Sequence, residues 1–179
     1  AYWLLGKYRR RTLSNLQSAL GERMDEAERR RTAKAVFRNA GRSLVEFILL
    51  RRWSAADIEK RVRFAGAENY DPIKGRGALV ATGHFGNWEL AAAASVQCLG
   101  VSLGAVARRQ SNRRMDKLLN EGRRRAGIEI FARGKGVRPI MKHLKDGKVL
   151  AIVMDQDTRK GQGIFVPFMG KLAHTQRGP

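Results

Sequence analysis

Cysteine is nearly absent from this chain. Cys98 is the only one in 179 residues, which excludes an internal disulfide framework and any cysteine-rich zinc site and permits a reducing compartment. Proline is scarce, at four residues, and no low-complexity stretch appears beyond short arginine triplets at 9–11, 29–31 and 123–125. No apolar run approaches the roughly 18 residues that cross a bilayer; Leu44–Leu50 is short and carries Glu46. No secretory signal pattern is visible. Acidic residues are also few, 16 against 36 Lys and Arg, for a formal charge of +20. Aromatics make up 7% and cluster mostly in apolar segments, not interleaved with basic residues as a stacking platform for nucleic acid requires. With no zinc or recognition-helix signature either, nucleic acid is not the expected partner.

What remains is a chain with 43% hydrophobic residues, enough for one folded domain with its own core. It opens on Ala1 and stops at Gly178-Pro179 directly after a motif-like stretch, so a fragment of a longer protein is expected. The charge lies in blocks. Residues 1–63 hold 16 basic and 7 acidic groups and residues 108–145 hold 13 and 3, while 64–107 contain only Lys74 and Arg76 as basic residues. Any one arginine is at home on a solvated helix face; as blocks they point to an anionic partner.

Hydrophobic periodicity divides the chain at 63/64. Asp25 and Glu28 have the spacing of a capping box, and Ala33, Val36, Phe37, Ala40, Leu44 and Ile48 then recur at helical steps. This predicts an amphipathic helix over 26–50, its apolar face packed on the core. Ser54 with Asp57 starts another short helix. From Gly77 onward, apolar runs at 78–82, 101–106, 128–131 and 149–154 alternate with helical segments at 88–98, 112–125 and 137–145. Short buried strands separated by helices imply crossover units, hence an α/β fold with a largely parallel central sheet. Residues 1–63 form a basic helical segment and 64–179 the α/β core.

In open α/β sheets ligands bind beyond the carboxyl ends of the strands. The turn after the first strand reads Thr82-Gly83-His84-Phe85-Gly86-Asn87-Trp88-Glu89. His84 and Glu89 are five residues apart, about 140° around a continuous helix, so they meet only if His84 sits in the turn and Glu89 in the first helical turn. There Glu89 would accept a hydrogen bond from one imidazole nitrogen and leave the other to take a proton from a hydroxyl. The plainer reading has a loop histidine and a helix-start carboxylate favoured by the dipole. His143, beside Lys142, reads as surface, and Cys98 as a small core residue.

These residues resemble a known family. His84-Phe85-Gly86-Asn87-Trp88-Glu89 is similar to the His-x-x-x-x-Asp/Glu motif of lysophospholipid acyltransferases, in the form used by bacterial lipid A biosynthesis acyltransferases. Downstream, Ile128-Glu129-Ile130-Phe131-Ala132-Arg133 resembles the second motif, Val153-Met154-Asp155-Gln156-Asp157 the third, and Ile164 to Gly170 the stretch after it; Asn15-Leu16 also match. The resemblance implies transfer of a fatty acyl group from a thioester, usually on acyl carrier protein, to a hydroxyl of a phosphorylated glucosamine lipid at the cytoplasmic face of the inner membrane. No cofactor or metal is implied. His84 is then the general base, supported by Glu89. Gly86, Asn87, Arg108, Arg123, Arg133, Asp155 and Gln156 face the substrates, the arginines suiting acceptor phosphate or a developing oxyanion. Thr158-Arg159 follow the third motif, and His174 matches without a clear role. The resemblance also implies a hydrophobic anchor upstream and roughly 100 further residues downstream. A second reading of Asp155-Gln156-Asp157, as an Asp-x-Asp metal ligand of a glycosyltransferase, would have no use for a His84/Glu89 dyad.

Overall fold

Strand signals after Gly77 and capping signals before it both correspond to real elements in the computed structural model, which describes residues 2–134, 136–158, 161 and 163–177. Helix α1 spans Gly6–Leu20 and α2 Glu26–Leu50. The Glu28 amide donates to Asp25 Oδ1 at 2.7 Å and the Asp25 amide to Glu28 Oε2 at 3.4 Å, the reciprocal bonding that starts α2. Helix α3 (Ala55–Glu59) has a full Ser54/Asp57 capping box and is held by Ile58, which is fully buried; that burial is worth about 2–3 kcal/mol. A 3-10 turn at Ala67–Ile73 leads into the alternating part: β1 (Ala78–Thr82), α4 (Trp88–Leu99), β2 (Leu103–Ala107), α5 (Arg113–Arg125), β3 (Glu129–Ala132), α6 (Arg138–Lys145) and β4 (Val149–Val153). A hairpin of β5 (Gly163–Phe168) and β6 (Lys171–Gln176) follows.

The four-stranded sheet has the order β1-β4-β2-β3, and every pairing is parallel. The chain steps outward through α4 and α5 and returns through α6 to insert β4 beside β1. Right-handed crossovers then put α4 and α5 on one face and α6 on the other. Packing agrees: Leu90, Ala93 and Ala94 of α4 cluster with Leu103, Ile128 and Val149, whereas His143 of α6 meets Phe131 edge-on at 5.1 Å. Since all four strands point the same way, their carboxyl ends share one edge.

Two compact units result. One runs up to Glu46 and includes Asp157–Arg177; the other is Phe47–Gln156. The packing therefore divides the chain at 46/47 and 156/157, whereas the composition changes at 63/64.

On the apolar stripe of α2, Ala33 is buried while Val36, Leu44 and Ile48 are exposed. One expectation needs correction. His143 is not on the surface: it is 3% exposed, with Nδ1 2.9 Å from Glu129 Oε2 and Nε2 2.9 Å from the Val149 carbonyl. Its position on α6 faces the sheet, which its charged sequence neighbours concealed.

Candidate active site

The carboxyl edge of the sheet assembles the site by register. Thr82 pairs with Val153, and the Met154 amide donates to the Thr82 carbonyl at 3.0 Å. Two positions beyond the pair, His84 comes opposite Asp155. The His84 amide donates to Asp155 Oδ2 at 2.7 Å, and Nδ1 lies 2.7 Å from Oδ1. Gly83 makes this approach possible, because a Cβ there would stand 2.9 Å from Asp155 Oδ2 and 3.2 Å from Cγ. Partial burial pushes the Asp155 carboxyl up, but the hydrogen bonds from the His84 side chain and amide, with attraction to the imidazole, outweigh it and hold the carboxyl below its ordinary range. Asp155 is thus an acceptor, Nδ1 carries the proton, and the lone pair falls on Nε2. Trp88 stacks edge-on against the imidazole at 4.8 Å and steadies the ring.

The carboxylate serving His84 is therefore Asp155, not Glu89. Glu89 lies in the first turn of α4 and reaches α5, where Arg123 donates from Nε to Oε2 at 3.0 Å and from Nη2 to Oε1 at 2.5 Å. With side chains 13% and 21% exposed and Phe47, Leu50 and Ile128 beside them, the two form a near-buried fork that ties α4 to α5. This also corrects the expectation for Arg123, since two of its donors are committed to Glu89 and not turned to a substrate phosphate.

The next strands repeat the register argument with cations. Ala107 pairs with Ala132, and the Arg133 amide donates to the Ala107 carbonyl at 3.0 Å, so Arg108 and Arg133 leave adjacent strand ends together. Both are exposed, and among the described residues no carboxylate is placed on either. Two arginines without a carboxylate favour an anion. Strand order sets β1 two spacings, roughly 10 Å, from β2 and three from β3, so Arg108 and Arg133 lie along the same edge as the His84–Asp155 pair. That edge carries an imidazole held by a carboxylate together with two cations.

A family model described as bacterial lipid A biosynthesis acyltransferase matches residues 2–179. The chain belongs to that family. It is 28% identical over 173 residues to the lipid A biosynthesis myristoyltransferase of Escherichia coli, covering 96% of this chain and 53% of that protein. The lipid A biosynthesis acyltransferase of Haemophilus influenzae is 25% identical over 126 residues, covering 70% and 40%. The phosphatidylinositol mannoside acyltransferase of Mycolicibacterium smegmatis is 29% identical over 109 residues, covering 59% and 35%. The chain thus spans about half or less of these relatives.

Within this chain the remaining motif residues have local tasks. Gly86 takes φ 60°, a left-handed conformation that any other residue resists, and so turns the chain between His84 and α4. Asn87 caps α4, its Oδ1 accepting from the Leu90 amide at 3.0 Å. Gln156 follows Asp155 and is exposed. Asp157 turns instead to His174, with Oδ1 2.7 Å from Nδ1, so the two aspartates hold different histidines and do not share a ligand. Among the described residues no three His, Cys, Asp or Glu side chains gather as a metal site. Arg159 lies outside the described residues. Cys98 packs partly buried against the core, and burial raises its thiol. Sequence reasoning missed Asp155 as the partner of His84. The usable signal was an aspartate directly after an apolar strand, at a place equivalent to His84.

Proposed function

We propose that this chain is the catalytic part of an enzyme moving a fatty acyl group from acyl carrier protein, or another thioester donor, to a hydroxyl of a lipid A precursor. The observation that carries this reading is the double hydrogen bonding of His84 to Asp155 at the sheet edge. Nε2 of His84 takes the acceptor hydroxyl proton as that oxygen attacks the thioester carbonyl. The oxyanion collapses, the carbon–sulfur bond breaks, and the proton passes from Nε2 to the leaving thiolate, yielding an ester and a free thiol. Arg108 and Arg133 hold the phosphate of the acceptor or the developing charge. Glu89 acts at one remove by fixing Arg123 and the start of α4.

The test is mass spectrometry of the lipid after supplying the full-length protein with an acyl-carrier-protein pool and a phosphorylated glucosamine lipid. One added acyl chain, with equivalent thiol release, is expected; unmodified lipid under conditions where the protein is folded overturns the reading. The similarity to the phosphatidylinositol mannoside acyltransferase favours a second acceptor, another anionic phosphoglycolipid, for the same assay.

Such substrates place the enzyme at the cytoplasmic face of an inner membrane, and the basic segment 1–63 is suited to its anionic surface. Each basic group near that surface contributes about 1 kcal/mol of attraction, screened by salt. Binding to anionic vesicles that salt reverses, and that weakens when Arg9–Arg11 and Arg29–Arg31 are neutralised, is expected. Equal, salt-insensitive binding to neutral vesicles would count against this location.

A further inference from the structure

Helix α5 carries a surface that the chemistry at His84 leaves unused. At about 100° per residue, Arg113, Arg114, Lys117, Glu121, Arg124 and Arg125 fall within about 120° of arc, and all but the half-buried Glu121 are exposed. The stripe runs about 18 Å at 1.5 Å per residue. Its one acid is taken, since Glu121 Oε1 lies 3.8 Å from Lys117 Nζ. Among the described residues no carboxylate is placed on Arg113, Arg114, Arg124 or Arg125. The other side of the helix belongs to the fold: Arg123 reaches Glu89, and Gly122 and Ala126 lie beside Phe47 and Leu50.

The stripe begins at the carboxyl edge of the sheet. Strand β2 ends there at Ala107, and the following loop is tied to the first turn of α5: the Gln110 amide donates to Asp116 Oδ1 at 2.8 Å, and Asn112 Oδ1 accepts from the Arg114 and Met115 amides at 3.0 and 3.2 Å. Arg113 and Arg114 therefore stand at the edge that carries His84, and the other cations lead away from it. Their arrangement decides what they fit. A small anion needs cations that converge, whereas these diverge along a convex helix. A helix lying flat on a bilayer needs apolar side chains beside its cations, but of the apolar residues of α5 only Met115 is exposed. Nucleic acid lacks a stacking platform, since residues 108–127 contain no aromatic. An acidic helix matches: its carboxylates recur at the same one-turn rise, and each arginine offers a fork to one of them.

We infer that the outer face of α5, led by Arg113 and Arg114 and continued by Lys117, Arg124 and Arg125, docks an acidic helix of the carrier protein that brings the acyl thioester. This rests on the acyl-transfer reading proposed above and selects a protein-borne donor over a small thioester. Docking along α5 holds the carrier beside the carboxyl edge, so that its thioester reaches His84 while the carrier itself stays outside the site. Charge complementarity of this kind acts on encounter and affinity, not on the chemical step.

The experiment measures kcat and KM of the full-length protein for two donors with the same acyl chain, one a thioester on acyl carrier protein and one a thioester on pantetheine, with the acceptor lipid dispersed in detergent. Arg113→Glu with Arg114→Glu suits a helix start, where acids favour the dipole. It should raise KM for the carrier-borne donor about tenfold or more, with kcat, KM for the acceptor and both constants for the pantetheine donor near wild type; the last also reports an intact fold. Arg124→Ala, a single truncation at an exposed position, should raise the same KM about two- to threefold and carries the test if the double variant does not fold. Salt should raise the wild-type KM for the carrier-borne donor and change that of the double variant much less. An unchanged KM for the carrier-borne donor overturns the docking surface, and so does an equal rise for both donors or a rise confined to the acceptor. Loss of binding to anionic vesicles with the carrier KM unchanged overturns it in favour of lipid. Wild-type transfer from pantetheine but not from the carrier overturns it and leaves acyl transfer standing; no transfer from either donor by folded protein overturns both.

Discussion

All three histidines of this protein hold a carboxylate on Nδ1 at hydrogen-bond distance, yet His143 and His84 lie in regions of opposite character. His143 sits under α6 with both nitrogens occupied, Nδ1 toward Glu129 and Nε2 toward the Val149 carbonyl. His84 sits at the open carboxyl edge of the sheet, and no described residue bonds its Nε2. A histidine with both nitrogens on acceptors is a pin; His84, with one carboxylate and an open Nε2 at the carboxyl edge, is the one proposed as the base.

The largest test of this comparison is at the edge. His84→Ala in the full-length enzyme should lower acyl transfer about 10²–10⁴-fold with the melting temperature nearly unchanged. Asp155→Asn should fall in the same range, because the amide reverses the tautomer preference. If Glu89→Gln instead matches the His84 loss and Asp155→Asn is mild, the pairing seen here does not serve catalysis.

The buried pin should respond in the opposite sense. His143→Ala removes packing against Phe131 and the buried hydrogen bond to the Val149 carbonyl, which should cost about 2–4 kcal/mol of stability. Chemical denaturation reads that loss, and turnover per folded molecule should stay near wild type. A large fall in turnover without destabilisation would mean that His143 takes part in the chemistry.

Between these extremes lies the Glu89–Arg123 fork. Glu89→Gln should destabilise by about 1–3 kcal/mol because it leaves Arg123 without its charge partner in a largely buried place, with a smaller loss of rate than His84→Ala. Arg123→Lys should be harmful through the lost bidentate geometry. Arg133→Lys should act differently, raising KM for the phosphorylated acceptor a few-fold with little effect on stability.

The smallest effect is in acid. The Asp155 carboxyl is lowered in the folded protein, so its contribution to stability is fully present above the unfolded carboxyl value of about 3.9 and is lost as pH falls through the lower folded value. Urea midpoints below pH 4 should therefore fall less steeply in Asp155→Asn than in wild type; parallel acid limbs would mean that the His84 contact does not favour the ionised carboxyl.

Much of the fold is legible along the chain because it is set by neighbours in sequence. Period and capping specify α2, and the reciprocal Asp25/Glu28 bonds form over three residues. Strand β1 occupies the apolar run Ala78–Thr82, and β2, β3 and β4 fall within two residues of the expected runs. Crossover helices between them require a parallel sheet, and a parallel sheet requires a common carboxyl edge, so His84 on that edge follows from local pattern alone. Helix α1 and the β5–β6 hairpin were not read, since α1 has mostly polar residues and no side-chain cap, and the hairpin exposes Phe165 and Leu172 instead of alternating in and out of a core.

What the sequence determined by itself was the alternating strands and helices from β1 to β4, the family motifs and the histidine just beyond β1. What only the tertiary structure decided was partnership. Strand order put β4, and not the next strand in sequence, beside β1, which brought Asp155 to His84 across 71 residues and left Glu89, five residues from the histidine, to Arg123. The reason is physical. Local pattern fixes the direction in which backbone and side chains run, but the nearest carboxylate to an imidazole is set by register between strands that meet only when the whole sheet closes.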